Sequence, residues 1–96
     1  DISYVGGWTY ISGGSKGIIL FRAGQNEIKA YDRHTPFNPR EACAIVSVLK
    51  NNVLAEDSCS GTTYSLYDGF PQEGPGELPL QQYRAEITGN ELRVYN

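Results

Sequence analysis

The chain has few side chains that could do chemistry, and most of them fall in two short stretches of the sequence. Its single histidine, His34, follows Asp32 by two residues, and its two cysteines are Cys43 and Cys59, the second close behind Asp57. Thiolates and imidazoles bind transition metals and iron-sulfur clusters. A metal site of this kind needs the cysteines as free thiolates, so it excludes a disulfide between them.

Hydrolytic chemistry would need a different use of the same region. Asp32 and His34 could act as an acid-base pair with Ser58 or Ser60 as the nucleophile. The chain contains no G-x-S-x-G segment, the turn that presents a strained nucleophilic serine in many hydrolases. We therefore expect no enzymatic activity and assign no catalytic residue.

Two further motifs suggest ligands only superficially. Asp57 together with Asp32 or Glu56 could bind Ca²⁺ or Mg²⁺ through carboxylate oxygens, but the spacing is not that of an EF-hand. We expect Asp57 instead to accept hydrogen bonds from backbone amides of its own loop. The glycine-rich segment 13–17 resembles a phosphate-binding loop, but strand-forming residues follow it where a helix is required, so it predicts a turn.

Size and charge restrict the classes of partner. The chain has 96 residues and a net charge of −3, with a pI near 5.0, so we expect a single domain over residues 1–96. This balance provides no cationic surface for nucleic acid or anionic lipid. Seven tyrosines and one tryptophan could form a platform for a sugar or a base, with Phe37 as its best member, but aromatic residues on strands usually pack across neighbouring pairs.

The elements that must position these residues are short strands. Runs rich in Val, Ile, Thr, Tyr and Phe alternate with Gly, Asn, Asp and Pro, which predicts an all-β domain. The predicted strands are residues 8–11, 18–22, 27–31, 43–49, 53–55, 64–67, 83–88 and 91–95. The first three form a meander and the last two a hairpin. Two loops, at about residues 32–43 and 57–63, carry most of the chemistry, and residues 71–79 form a stiff irregular crossing.

The order of motifs at these loops resembles a Rieske-type domain. The resemblance covers about residues 8–94 and implies an all-β fold with three antiparallel sheets and two apposed loops. The motifs that carry it are Ala30-Tyr31-Asp32-Arg33, Thr35-Pro36-Phe37, Gly61-Thr62-Thr63-Tyr64, Gly74-Pro75 and Pro79-Leu80.

The family's cofactor does not follow from this resemblance. Rieske domains hold a [2Fe-2S] cluster with two cysteines and two histidines. The matched positions carry Thr35 and Phe37 in the first loop and Asp57 and Ser60 in the second. Two hydroxyls, a phenyl ring and a carboxylate do not replace thiolate and imidazole donors. We therefore expect no cofactor and no bound metal.

The resemblance does imply a disulfide. In Rieske proteins of the respiratory type a disulfide ties the two cluster loops together, and Cys59 occupies the matching place between Asp57 and Ser60. It implies that Cys43 is its partner; the alternative is two unpaired buried cysteines. A structural disulfide indicates an oxidising compartment.

Several segments, among them Val5-Gly6-Gly7-Trp8 and Asp57-Ser58-Cys59, also resemble Rieske-like lipoproteins of Bacteroidetes. This resemblance implies an extracytoplasmic protein, in the periplasm or at the cell surface. Its only membrane contact would be a lipid-bearing cysteine upstream of Asp1.

The expected function is that of a cluster-free binding or structural module. In the Rieske family the loop tip docks to partner proteins, and a phenylalanine at a former ligand position makes the tip more apolar. Pro36 and Phe37 are therefore the candidate interface for a protein partner. The alternative is a degenerate Rieske-type iron-sulfur or other metal electron-transfer protein, which would use both cysteines as thiolates with His34 and Asp57.

Overall fold

The structure is a computed structural model that describes residues 1–37 and 40–96. Positions 38 and 39, which belong to the predicted first loop, lie outside the described residues. The described chain contains nine strands and no helix, so none that could cross a bilayer, and the all-β prediction is confirmed. The strands are β1 (Trp8–Ile11), β2 (Ile18–Gly24), β3 (Glu27–Asp32), β4 (Val46–Val48), β5 (Leu54–Asp57), β6 (Thr63–Ser65), β7 (Pro71–Glu73), β8 (Gln82–Thr88) and β9 (Glu91–Tyr95).

The first sheet has five antiparallel strands in the order β1-β2-β3-β8-β9. Its first three strands are the predicted meander and its last two the predicted hairpin. The two are joined because β3 pairs with β8, with Ala30 opposite Tyr83 and Tyr31 opposite Gln82. This long-range pairing joins the meander and the hairpin in one sheet. The described residues form two sheets, so the prediction of three sheets is wrong.

The second sheet has four antiparallel strands in the order β4-β5-β6-β7. The strand predicted from residue 43 begins only at Val46, because the Ala44 amide closes a turn onto the Glu41 carbonyl at 3.0 Å. Strand β7 forms inside the segment predicted as irregular. Its Pro71 lies opposite Tyr64 in an edge strand, where a residue without an amide proton is tolerated.

The core lies between the two sheets, which together form a curled half-barrel. Strand β2 is buried on both faces, which explains its unbroken apolar run from Ile18 to Phe21. One face contributes to the main core and the other packs under the β8–β9 hairpin. The main core consists of Ile19, Phe21, Tyr31, Val46, Ala55, Tyr64, Leu66 and Leu80.

One end of the half-barrel carries both predicted loops. We call this end the tip and define it as residues 33–37, 40–45 and 58–62. The backbone joins its parts, because His34 bridges to Ile45 and the Ser58 amide donates to the Ile45 carbonyl at 3.3 Å. The β4–β5 turn around Asn52 lies at the opposite end, since Val46 pairs with Asp57 at the tip side of these strands.

Candidate functional site at the tip

A disulfide joins the two loops of the tip. It links Cys43 to Cys59 across a Cα–Cα distance of 5.3 Å and a sequence separation of 16 residues. The predicted pairing is confirmed, and the alternative of two unpaired cysteines is wrong. The bond uses both sulfur atoms of the chain.

Asp57 organises the second loop from a fully buried position at the end of β5. Its Oδ1 accepts a hydrogen bond from the Cys59 amide at 3.1 Å, and its Oδ2 accepts one from the Ser60 hydroxyl at 2.6 Å. Short polar side chains cap turns in this way. The expectation that Asp57 binds amides of its own loop is confirmed.

Buried hydroxyl groups connect the two loops through the second sheet. Ser60 Oγ lies 2.8 Å from Thr62 Oγ1, which accepts the Gly76 amide at 3.0 Å. Thr35 Oγ1 of the first loop lies 3.2 Å from the Tyr64 hydroxyl. Burial, with a smaller contribution from the Asp57 charge, raises the pKa of Tyr64 above its ordinary value, so this hydroxyl keeps its proton.

Gly76 closes the space between these hydroxyls. A Cβ at this position would lie 3.0 Å from the Tyr64 hydroxyl and 2.9 Å from Thr62 Cγ2. A larger residue would therefore push the two side chains apart. Gly76 does not adopt a positive φ, so no turn requires glycine at this position. The close approach of its backbone to Thr62 and Tyr64 does require it.

The four positions matched to cluster ligands do not provide a donor set for a [2Fe-2S] cluster. Thr35 is bound to Tyr64, Asp57 and Ser60 are bound to each other, and Phe37 has no donor atom in its side chain. Oxygen donors are poor ligands for sulfide-bridged iron, and both cysteines are already joined. The residues of the tip do not fit the cofactor that the resemblance implies.

A second buried carboxylate anchors the start of the first loop. Asp32 accepts the Ser15 amide at 2.8 Å, the Lys16 amide at 3.4 Å, the His34 amide at 2.9 Å and the Tyr83 hydroxyl at 2.7 Å. Burial alone would raise its pKa, but these hydrogen bonds outweigh burial and hold the pKa of Asp32 below its ordinary value. The hydrogen bond that the Tyr83 hydroxyl donates to Asp32 is the main cause of the raised pKa of Tyr83.

The glycine-rich turn 13–17 is shaped around this carboxylate. Its amides bind Asp32, which occupies the place that a phosphate would take in a phosphate-binding loop. Gly14 has a φ of +58°, and a Cβ there would lie 2.3 Å from Asp32 Oδ2. The turn is therefore an internal anion site that the chain fills itself.

The histidine has a partner that sequence reasoning did not consider. His34 Nδ1 lies 2.8 Å from Ser15 Oγ, and the backbone amide of His34, rather than its ring, donates to Asp32. Ser15 is separated from His34 by two strands in sequence, and only the β2–β3 pairing brings the two loops together. No local spacing in the sequence signals this contact.

The predicted interface residues line a groove on the outside of the tip. We call it the tip groove; it has a volume of about 310 Å³ and is lined by Pro36, Phe37, Pro75, Glu77 and Leu78. Leu78 is 64% exposed. The far wall of the groove consists of residues from the segment 71–79, which was predicted only as an irregular crossing with no part in the site. The one signal in the sequence for this wall was an apolar residue, Leu78, between two prolines.

The fold and the tip together define a two-sheet all-β domain with disulfide-linked loops. No group of three or more His, Cys, Asp or Glu side chains in the described ranges could hold a metal ion. No family model matches the chain, and no curated protein matches it.

Proposed function

We propose that the chain is a cluster-free, extracytoplasmic binding module of the Rieske-like type, and that its tip contacts a protein partner. The observation that carries the proposal is the tip groove, in which four apolar side chains stand together. Pro36 and Phe37 lie on a disulfide-linked loop, and Gly76, between Pro75 and Leu78, donates its amide to Thr62 Oγ1 at 3.0 Å. Apolar surface presented on a rigid scaffold is typical of protein-binding sites. In the Rieske family, which the motifs of these loops resemble, the corresponding loop tip docks to partner proteins.

The rigidity of the tip supports binding rather than a merely structural role. The disulfide and the bonds of Asp57 hold the loops before any partner arrives. Preorganised loops lose less conformational freedom on binding, which increases affinity. The disulfide also supports an oxidising, extracytoplasmic location.

The groove has a defined chemistry. Glu77 is exposed at its rim, and no side chain of residues 1–37 and 40–96 forms an ion pair with it. The chain as a whole carries a net charge of −3. We therefore infer a partner protein that presents an apolar side chain beside a basic residue, because opposite charges steer association and set orientation.

Site-specific photo-crosslinking in the source cells tests this function. A benzophenone amino acid in place of Leu78 should give a discrete covalent adduct with one envelope protein, and the same probe in place of Phe70 should give none. Phe70 is a suitable control because it is 53% exposed and does not line the tip groove. Absence of the Leu78 adduct, or equal adducts from both positions, would contradict the proposal.

A second comparison checks that the adduct depends on the groove. The Phe37→Asp change should reduce the Leu78 adduct severalfold, while Phe70→Asp should leave it unchanged. Circular dichroism of both variants checks that each remains folded. An unchanged adduct in folded Phe37→Asp would remove Phe37 from the interface.

The cluster-free part of the proposal has its own measurement. Protein purified without oxygen should be colourless, contain no stoichiometric iron and have no titratable thiol before reduction. The alternative of a drifted electron-transfer protein requires the two cysteines as thiolates, and in the structure they are joined. Visible absorbance with bound iron would overturn the cluster-free assignment.

A further inference from the structure

A second groove lies at the end of the half-barrel opposite the tip. We call it the aromatic groove; it has a volume of about 530 Å³ and is lined chiefly by Asp1, Tyr4, Trp8, Thr9, Tyr10 and Asn52. It spans both sheets, because Trp8 and Tyr10 lie on β1 and Asn52 lies in the β4–β5 turn. A volume of this size suits a small organic ligand.

The aromatic side chains of this groove are held in place. Trp8 and Tyr10 are on the same face of β1, with ring centroids 4.9 Å apart. Trp8 Nε1 donates to Asn52 Oδ1 at 3.0 Å, and the Tyr10 hydroxyl accepts the Val48 amide at 3.0 Å. These bonds tie β1 to the second sheet, so the groove keeps its shape without a ligand.

Tyr4 forms the most exposed part of the groove. Its side chain is 61% exposed, yet its backbone is anchored, because its carbonyl accepts the Gly7 amide at 3.0 Å. The same segment is fixed to β2 by the bond from the Gly6 amide to the Arg22 carbonyl at 2.8 Å. An exposed ring on an anchored backbone costs free energy in water and is ready to pack against a ligand.

We propose that the aromatic groove binds a neutral carbohydrate. The apolar C–H faces of a sugar ring pack on tyrosine and tryptophan rings. Asn52 offers amide hydrogens that can donate to sugar hydroxyls, and Asp1 adds a carboxylate acceptor.

The charge of the chain separates this ligand from the other class that stacks on aromatic rings. Nucleotides carry phosphates, which a net charge of −3 disfavours. The guanidinium of Arg33, which lies 3.7 Å from the centroid of the Tyr10 ring, already donates to the Val46 carbonyl and the Ser47 hydroxyl. A neutral sugar meets no such electrostatic penalty. The proposal is independent of the proposed function at the tip, since the two grooves share no residue.

The experiment uses the only tryptophan of the chain, Trp8, as the reporter. Its fluorescence is titrated with neutral oligosaccharides of glucose, mannose, galactose, xylose and N-acetylglucosamine. At least one of these probes should change the emission in a saturable way. If none does so at concentrations up to about 10 mM, which detects even millimolar affinity, the proposal is overturned.

Variants then assign the binding to the groove. Tyr4→Ala should weaken the association constant about tenfold through loss of one stacking ring. Asn52→Gly removes the amide without backbone strain, because φ at Asn52 is 64°, a value that glycine adopts freely. Phe70→Ala is the matched control and should bind as the unmodified protein does. Wild-type affinity in both folded groove variants would overturn the proposal.

Discussion

Asp32 shows how a single buried residue organises two loops. Its carboxylate collects donors from the glycine-rich turn, from the start of the first loop and from Tyr83 on β8. A buried charge is tolerated only when such bonds replace its hydration. Because the partners come from three separate parts of the chain, the loss of this one charge should loosen all of them.

We expect Asp32→Asn to lower the free energy of unfolding by about 2 kcal/mol at neutral pH, since an amide cannot accept all of these donors. The pKa of Asp32 in the folded state lies below the ordinary value of 3.8. Its ionised form therefore stabilises the fold above pH 3.8, and this contribution disappears as the pH falls through the lowered pKa. Urea unfolding of both proteins across this range measures the effect.

The control for this charge is Asp68→Asn. Asp68 is exposed and accepts the Phe70 amide at 2.9 Å, so its neutralisation should change the free energy of unfolding by less than about 1 kcal/mol. A difference between the protein and Asp32→Asn that stays constant down to strongly acidic pH would contradict the lowered pKa of Asp32.

Gly14 allows a second test at the residue scale. Gly14→Ala places a Cβ 2.3 Å from Asp32 Oδ2 and 2.7 Å from the Tyr83 hydroxyl, at a φ of +58°. Gly89→Ala adds a Cβ at a φ of +60° with nothing within 4 Å. Both variants carry the backbone penalty of about 1 kcal/mol, and only Gly14→Ala adds the clash.

We therefore expect Gly14→Ala to lower the free energy of unfolding by at least about 1 kcal/mol more than Gly89→Ala. Thermal unfolding of the two variants side by side gives this difference. Equal losses would mean that the turn moves away from Asp32 at little cost.

At the scale of elements, the tip consists of two loops that backbone hydrogen bonds and side-chain contacts join. The first loop leaves the five-stranded sheet after β3, and the second connects β5 to β6 in the four-stranded sheet. The Cys43–Cys59 bond and the Thr35–Tyr64 contact tie them to each other. The first loop ends at β4, the neighbour of β5, so the disulfide lies beside this pair of strands in the four-stranded sheet.

Removing the disulfide should have a large effect on so small a domain. With a sequence separation of 16 residues between its cysteines, the bond should contribute about 3 kcal/mol by constraining the unfolded chain. We expect this loss in the free energy of unfolding for the Cys43→Ser, Cys59→Ser double variant in urea. Wild-type protein under strong reductant serves as the control and should unfold at the same urea concentration as the double variant.

The same double variant also tests whether the disulfide fixes the shape of the tip. The double variant should also give less of the Leu78 photo-adduct, because the loops of the tip lose their covalent tie. Full stability without the disulfide would show that hydrogen bonds of Asp57 and Thr35 suffice to hold the loops.

At the scale of the whole molecule, two sheets enclose one core and leave two different ends. The molecule is elongated, with dimensions of 39 × 24 × 18 Å. The tip groove lies beside the disulfide, and the aromatic groove lies beside the β4–β5 turn. A rigid core between distant sites transmits little change when no alternative packing is available.

The two ends should therefore act independently. Leu78→Asp should leave the titration of Trp8 with oligosaccharides unchanged, and Tyr4→Ala should leave the photo-adduct of the tip unchanged. Fluorescence titration and crosslinking of the same pair of folded variants measure this. A change of severalfold at the distant end in either variant would reveal coupling through the core.

Local patterning in the amino-acid sequence determined much of the architecture. Strand-forming runs and turn residues predicted the all-β class, the meander and the closing hairpin, because period-two alternation and Gly-Asn or Gly-rich turns act over a few residues. The Cys43–Cys59 pair came from the order of motifs in a resembling family. The family relationship itself remains a prediction.

The tertiary structure alone decided which distant segments meet. Pairing of β3 with β8 made two sheets instead of three, Ser15 came to lie beside His34, and Leu78 became a wall of the tip groove. The aromatic groove joins β1 to Asn52, 44 residues from Trp8. Such contacts depend on how the apolar faces of separate strands are buried together. The periodicity of one segment indicates its own buried face but does not identify the distant strand that covers it.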